Sequence, residues 1–156
     1  FRGDESNRNK LQQWSGMYAN ASTGLAILRR DGFASVGSER EGFLLTRLIT
    51  FSGKYLFINF EGKEGTIIAE ICGKDGKPVP EYTREDCFPA NGDSTKYPMK
   101  WKNRDNLEEL SGKPVRIKFY LNRSKLFSFW ISKNQSGTSS GAVAAGGPGF
   151  TGQWDI

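Results

Sequence analysis

The sequence contains no histidine, which removes the commonest general base of enzymes and the commonest metal ligand of proteins. Nucleophilic catalysis needs a nucleophile beside a base, and no catalytic motif built on acidic residues or lysine takes the place of histidine. A structural zinc site needs four ligands, so two cysteines without histidine do not complete one. The sequence therefore predicts a protein that is not an enzyme and that acts by binding.

Cysteine is scarce, since Cys72 and Cys87 are the only two and are separated by 14 residues. Two interpretations stay open. Both thiols are free and buried, or they form a disulfide that would stabilise the fold by about 3 kcal/mol through its small loop.

Long apolar runs are also lacking, and none approaches the roughly 20 residues that cross a bilayer. We therefore expect no membrane-spanning segment. The chain opens with Phe1 and shows no signal peptide, so we expect a processed or excised piece. Acceptor tripeptides for N-glycosylation begin at Asn20, Asn122 and Asn134 and favour a secreted, extracellular glycoprotein.

Aromatic residues are plentiful, with 11 Phe, 5 Tyr and 4 Trp among 156 residues, which is enough apolar surface for the core of one domain. Short apolar runs broken by Gly, Pro, Asn and Asp are typical of an antiparallel β-sandwich. The composition divides the chain into an irregular lead-in over 1–22, a β-sandwich over 23–132 and a Gly/Ser-rich tail over 133–156.

Alternation of apolar and polar residues places the strands. We predict strands over 25–30, 33–36, 43–51, 55–60, 66–72 and 97–101, and a hairpin of 115–121 and 127–132 that turns at 122–125. Residues 61–65 and 79–97 are predicted as loops, and 105–110 as a helical turn that ends at Gly112.

Positive charge is concentrated in one part of the chain. Residues 98–133 hold nine basic and three acidic residues, a balance of +6, whereas the whole chain is +5. Arg116, Lys118 and Tyr120 share one strand face. This face suits an acidic partner, such as a sulfated or uronic-acid glycan, an acidic protein or silica. Nucleic acid is disfavoured because no recognised motif occurs. The alternative is a charged face that only prevents edge aggregation.

A long loop supplies a second group of candidates. Asp86, Asn91 and Asp93 carry oxygen atoms that suit sugar hydroxyls, and Asp86 and Asp93 also suit calcium, the one cofactor that we consider. The same two carboxylates are the best candidates for a glycosidase pair. Trp101 is a candidate stacking platform for a sugar. The alternatives are a structural loop held by Asx turns, with Trp101 in the core.

The tail combines a flexible Gly/Ser/Ala stretch with the apolar residues Phe150, Trp154 and Ile156. Such a tail is expected to dock on its own domain or on a neighbour. Docking on a neighbour would make the chain a homo-oligomer, and it motivates the alternative function of a self-assembling extracellular-matrix or fibre subunit, associated with an acidic mineral such as silica.

Several segments carry a resemblance to a known family. They are Gly24-Leu-Ala-Ile-Leu-Arg-Arg-Asp-Gly-Phe-Ala-Ser35, Leu48-Ile-Thr-Phe-Ser-Gly-Lys54, Glu85-Asp-Cys87 with Gly92-Asp-Ser94, Gly112-Lys-Pro-Val-Arg-Ile-Lys-Phe119 and Lys125-Leu-Phe-Ser-Phe-Trp130. In this order they resemble the C-terminal β-sandwich that follows the five-bladed propeller of invertase-type glycoside hydrolases and their secreted relatives.

The resemblance implies a concanavalin-like jelly roll, an extracellular setting and a link to carbohydrate. It also implies that the catalytic carboxylates lie in the propeller, which these residues do not contain. We therefore expect a non-catalytic, carbohydrate-associated binding module. A hydrolase fragment whose active site needs a missing domain is a further alternative.

Overall fold

The computed structural model describes residues 24–141 and residues 152, 154 and 155. These residues form one curled antiparallel sheet with the strand order β1-β4-β2-β3. The strands are β1 (Val36–Leu45), β2 (Tyr55–Cys72), β3 (Ala90–Pro98) and β4 (Arg116–Ser132), with a short 3₁₀ turn at Glu108–Leu110. The prediction of an antiparallel, almost entirely β protein is confirmed.

The two central strands hold the sheet together because apolar side chains of β2 and β4 pair across the ladder on one face. Ile58 of β2 faces Phe129 of β4, and Ala69 faces Phe119. One face of the sheet, the core face, buries the side chains of Leu56, Ile58, Phe60, Ile67, Ala69, Ile71, Ile117, Phe119, Leu121 and Leu126. We call the opposite side the outer face.

The chain on either side of β3, over residues 73–89 and 99–115, is mostly irregular and covers the core face. It contributes Tyr82, Met99, Trp101 and Leu107, all buried. Trp101 packs edge-on against Tyr82 and donates its indole N–H to the carbonyl oxygen of Ala69 at 3.2 Å. The core of the described residues therefore lies between a sheet and loops, and their strands form no second sheet.

Both central strands are longer than predicted, at 18 and 17 residues. The predicted loop at 61–65 and the predicted hairpin turn at 122–125 are wrong, because the two strands bulge opposite each other and stay paired. Four residues of β2 lie between the pairs Glu61–Lys125 and Thr66–Asn122, opposite two residues of β4. Arg123 has a left-handed φ of 43°. This local backbone change accommodates the unequal number of residues in the two strands, and β4 continues without reversing direction.

The N-terminal part of the described chain also differs from the prediction. Residues 25–30 and 33–35 are irregular rather than strands, and the side chains of Leu25 and Phe33 are 88% and 85% exposed. Strand β1 ends at Leu45 instead of reaching residue 51. Much of the predicted loop over 79–97 is the strand β3, because Asp93 and Ser94 pair with Glu61 and Phe60.

The predicted helical turn at 105–110 is confirmed as the 3₁₀ turn. Ser111 donates its N–H to the carbonyl oxygen of Glu108, and Gly112 follows with a left-handed φ of 76°, which favours glycine. None of the helical turns in the described residues is long and apolar enough to cross a membrane.

Candidate functional site

The outer face carries a cavity of about 450 Å³ where β1, β4 and β2 lie side by side. Direct pairing places Phe43 of β1 beside Tyr120 of β4, and Leu45 beside Lys118. On the other side of β4, Lys118 pairs with Glu70 of β2. We call this the cationic cavity, and its lining residues are Phe43, Leu45, Glu70, Cys72, Gly76, Pro78, Arg116, Lys118 and Tyr120.

The ammonium of Lys118 is held between two aromatic rings. Its Nζ lies 4.6 Å from the centre of the Phe43 ring and 4.7 Å from the centre of the Tyr120 ring. Both distances are within the range of cation–π attraction. A hydrogen bond with Tyr120 and the negative charge of Glu70 raise the pKa of Lys118, although its partial burial opposes this. Lys118 is therefore a fixed positive charge at neutral pH.

Glu70 forms the floor of the cavity and is only 6% exposed. Its carboxylate accepts hydrogen bonds from the Tyr120 hydroxyl at 3.0 Å and from the backbone N–H of Arg84 at 3.2 Å. These bonds compensate for the burial of the charge and fix the orientation of the Tyr120 ring.

Arginine completes the site at its edges. The guanidinium of Arg84 lies 4.4 Å from the centre of the Tyr120 ring and forms an ion pair with Glu41 at 2.6 Å. Arg116 donates to the carbonyl oxygen of Thr46 at 3.1 Å. Arg84 and Lys118 cover the Tyr120 ring. Lys118 also contacts the Phe43 ring, but Phe43 is 64% exposed, so most of this ring stays open.

The site therefore combines an open aromatic ring, fixed cations and a buried carboxylate within one shallow cavity. An aromatic ring packs against the apolar face of a sugar ring, the cations attract a carboxylate or sulfate, and the polar groups bind hydroxyls. These groups are of the chemical types that suit a ligand with an apolar face, hydroxyl groups and a negative charge.

The structure brings together the three residues predicted for the strand face, Arg116, Lys118 and Tyr120. The sequence analysis missed Phe43 and Glu70. Phe43 lies in the strand predicted over 43–51, but the apolar run at 43–45 has no alternation to decide which residue is buried. Glu70 was detectable, since it is a charged residue between Ala69 and Ile71 in an otherwise apolar strand.

The loop candidates lie elsewhere and have partners of their own. Asp86 accepts a hydrogen bond from Thr83 at 2.8 Å, and Asp93 forms an ion pair with Arg29 at 2.6 Å. Asn91 donates to the carbonyl oxygens of residues 62 and 65 and holds the bulge of β2. These three side chains therefore stabilise the chain locally rather than meeting in one site.

Trp101 is 2% exposed, so its indole lies in the core and offers no ring face to a sugar. The expectation that it forms a stacking platform is wrong for this reason. Asp86 and Asp93, the calcium candidates, have separate partners, since Asp86 lies near Lys102 and Asp93 pairs with Arg29. Within the described part of the chain, no group of three or more Cys, Asp or Glu side chains is placed to hold a metal ion.

Cys72 and Cys87 are free thiols on opposite sides of β2. Cys72 lies on the outer face, with its Sγ 3.8 Å from a carboxylate oxygen of Glu70. Cys87 lies in the core, where its Sγ accepts a hydrogen bond from the N–H of Ala69 at 3.3 Å. Because the strand separates them, the disulfide alternative is not realised. Burial raises the pKa of Cys87 to about 11.

Two of the glycosylation candidates lie in the described residues. Asn122 is exposed on the outer face, and Asn134 is exposed in a turn where its side chain donates to the Thr138 hydroxyl at 3.0 Å. Asn20 lies outside the described residues.

Of the tail candidates, Phe150 and Ile156 lie outside the described residues, whereas Trp154 is 59% exposed. The neighbouring Asp155 docks on the same chain, since its carboxylate accepts hydrogen bonds from Ser139 at 2.8 Å and Arg30 at 2.9 Å. Burial acts to raise the pKa of Asp155, but these hydrogen bonds outweigh it, and the pKa lies below its ordinary value.

No protein-family model matches the chain, and no curated protein is significantly similar to it.

Proposed function

We propose that this domain is a non-catalytic carbohydrate-binding module whose cationic cavity binds acidic glycans. The observation that carries the proposal is the position of Lys118, whose ammonium is held between the rings of Phe43 and Tyr120 above the buried Glu70. A cation fixed in this way loses little side-chain entropy when it binds an anion.

The ligand class follows from the chemistry of the cavity. Arg116 and Lys118 outnumber the one acidic residue in the lining, Glu70, so a negatively charged sugar is favoured over a neutral one. The exposed ring of Phe43 suits the C–H face of a pyranose. A uronic acid presents both features, a carboxylate and an apolar ring face, at the spacing of one sugar unit.

We further propose that the sheet belongs to a concanavalin-like jelly-roll sandwich in a secreted, extracellular protein, as the resemblance to the modules of invertase-type glycoside hydrolases implies. The exposure of Leu25, Ile27, Leu28 and Phe33 supports a sandwich, since a second layer would bury these side chains. A native protein that lacks a secretion route would contradict the extracellular setting.

The test is isothermal titration calorimetry of the full chain with oligogalacturonate. The matched ligand is the methyl-esterified oligomer, which keeps the sugar rings and loses the charge. We expect the charged oligomer to bind, its affinity to fall as salt rises, and the ester to bind at least about tenfold more weakly.

Variants test whether the oligomer binds at the cationic cavity on the outer face. Phe43→Ala and Lys118→Met should each weaken binding of the charged oligomer, whereas Lys113→Met, an exposed lysine away from the cavity, should not. If the charged oligomer does not bind, or if all three variants bind as the native chain does, the proposed function is wrong.

Self-assembly is a second proposal, favoured by the exposure of Trp154 and of the apolar residues between 25 and 33. Light scattering on the full chain and on a chain that ends at residue 141 tests it. Assembly that depends on the tail would support a structural matrix role, and identical monomers would contradict it.

A further inference from the structure

A second cavity, of about 650 Å³, lies where the bulges of β2 and β4 face each other. We call it the bulge cavity. Glycines at positions 37 and 62 leave the space open because they carry no side chain. The side chains that surround it come from three strands and include Ser38, Glu61, Lys63, Arg123 and Lys125.

The bulge cavity differs in charge from the cationic cavity. Its three basic side chains are balanced by three acidic ones, from Glu39, Glu61 and Glu64. The closest pair across it is loose, since Lys125 lies 3.9 Å from Glu61, and both side chains are at least 40% exposed. Many exposed donors and acceptors without net charge suit the hydroxyl groups of a sugar better than a second anion.

The two cavities lie on the same face of the sheet. Lys118 and Lys125 both lie on the outer face of β4, pairing with Glu70 and Glu61 of β2. At most about 23 Å separates them along the strand, at 3.3 Å per residue. Between them on the outer face of β4 lie Tyr120, which lines the cationic cavity, and the exposed Asn122. The ion pair of Arg84 with Glu41 crosses the face over Tyr120 and is partly exposed, so a ligand that spans both cavities passes over or displaces this pair.

Beyond the bulge cavity the outer face is covered. Arg29 lies over the Phe127 ring at 4.6 Å, donates to the side chain of Asn59 at 2.6 Å and forms an ion pair with Asp93. The part of the face that a ligand can reach therefore begins near Lys118, is crossed by the Arg84–Glu41 ion pair and ends at Arg29.

We infer that the two cavities form one extended groove that binds a polysaccharide chain. An acidic sugar occupies the cationic cavity, and the hydroxyl-rich units that follow it occupy the bulge cavity. This inference rests on the proposed function, since it extends the same site along β4.

The experiment is a length series that starts from a single uronic acid and continues with oligosaccharides in which a uronic acid alternates with a neutral sugar, titrated into the full chain and into the Lys125→Met variant. We expect the affinity of the native chain to rise with length by about tenfold or more until the oligomer spans both cavities, and then to level off. In Lys125→Met, short oligomers should bind as before and long ones should lose most of that gain. Lys113→Met serves as the control.

A longer oligomer also gains affinity statistically, because it offers more places to bind, but this gain is the same in Lys125→Met. The inference is overturned if affinity does not depend on length, or if the gain with length is the same in the native chain and in Lys125→Met. If short oligomers bind but one of these two results is obtained, the inference fails and the proposed function stands. Short oligomers that do not bind would remove the proposed function itself.

Discussion

Arg29 provides a sharp test of how the N-terminal part of the described chain is attached to the sheet. Its guanidinium donates to the Asn59 side chain at 2.6 Å and to the carbonyl oxygen of Phe60 at 2.8 Å, and it pairs with Asp93. Asn59 is 1% exposed. Arg29→Leu keeps the apolar stem of the side chain and removes all three donors.

The expected cost follows from the groups left behind. A buried acceptor without a donor costs about 1–3 kcal/mol, and the lost bond to Phe60 adds about 1 kcal/mol. The pair with Asp93 adds little, because the carboxylate is 36% exposed. We therefore expect Arg29→Leu to lower the free energy of unfolding by about 2–4 kcal/mol.

Urea denaturation measures this change by linear extrapolation. Arg40→Leu, at an exposed position of β1, is the matched control and should change stability by less than about 0.5 kcal/mol. Arg29→Lys should recover only part of the loss, since the three N–H donors of an ammonium diverge from one nitrogen and do not reproduce the fork of guanidinium nitrogens that reaches the three acceptors. Equal stabilities of Arg29→Leu and Arg40→Leu would refute this account of the contact.

Three further predictions concern the bulge, a thiol and a glycan. Gly65→Ala should cost at least about 2 kcal/mol in urea denaturation, because its Cβ would overlap the backbone of β4, whereas Gly24→Ala, with open space around it, should be neutral. Burial raises the pKa of Cys87 from 9.0 to about 11, so its contribution to stability is complete below pH 9 and is lost as pH rises to 11. Plots of the free energy of unfolding against pH for the native chain and for Cys87→Ala should therefore differ in slope only between pH 9 and pH 11. Equal slopes in that range would contradict the burial of the thiol. A glycan at Asn122 should block binding of acidic oligosaccharide, and Asn122→Gln made in a glycosylating host should restore it; binding by the glycosylated chain would place the ligand elsewhere.

The class of fold could be predicted from the sequence because apolar and polar residues alternate in the parts of β2 and β4 that bury one face. The prediction failed at the bulges, since polar residues at 61–65 and 122–125 read as turns when local chemistry alone is considered. Only the pairing of the two strands shows that Gly65 fits against the backbone of β4, and no property of a single segment reveals this.

Only the residues of the candidate site that lie on one strand could be predicted from the sequence. Arg116, Lys118 and Tyr120 share a face by the period of a strand, so their proximity followed from the sequence. Phe43 and Glu70 come from neighbouring strands, and their positions depend on register across the sheet. Trp101, Asp86 and Asp93 were candidates for binding sugar or calcium because of their residue types. Trp101 is buried in the core and the two carboxylates have local partners, so all three have structural roles.

The central claim is that the outer face binds an acidic sugar in the cationic cavity, against Phe43 and Lys118, and NMR titration with oligogalacturonate tests it most directly. The account predicts shifts of the Phe43 ring, the Lys118 side chain and the Tyr120 ring that saturate together and disappear with the methyl-esterified oligomer. Shifts confined to residues 86–93, or no shift at saturating charged ligand, would contradict it.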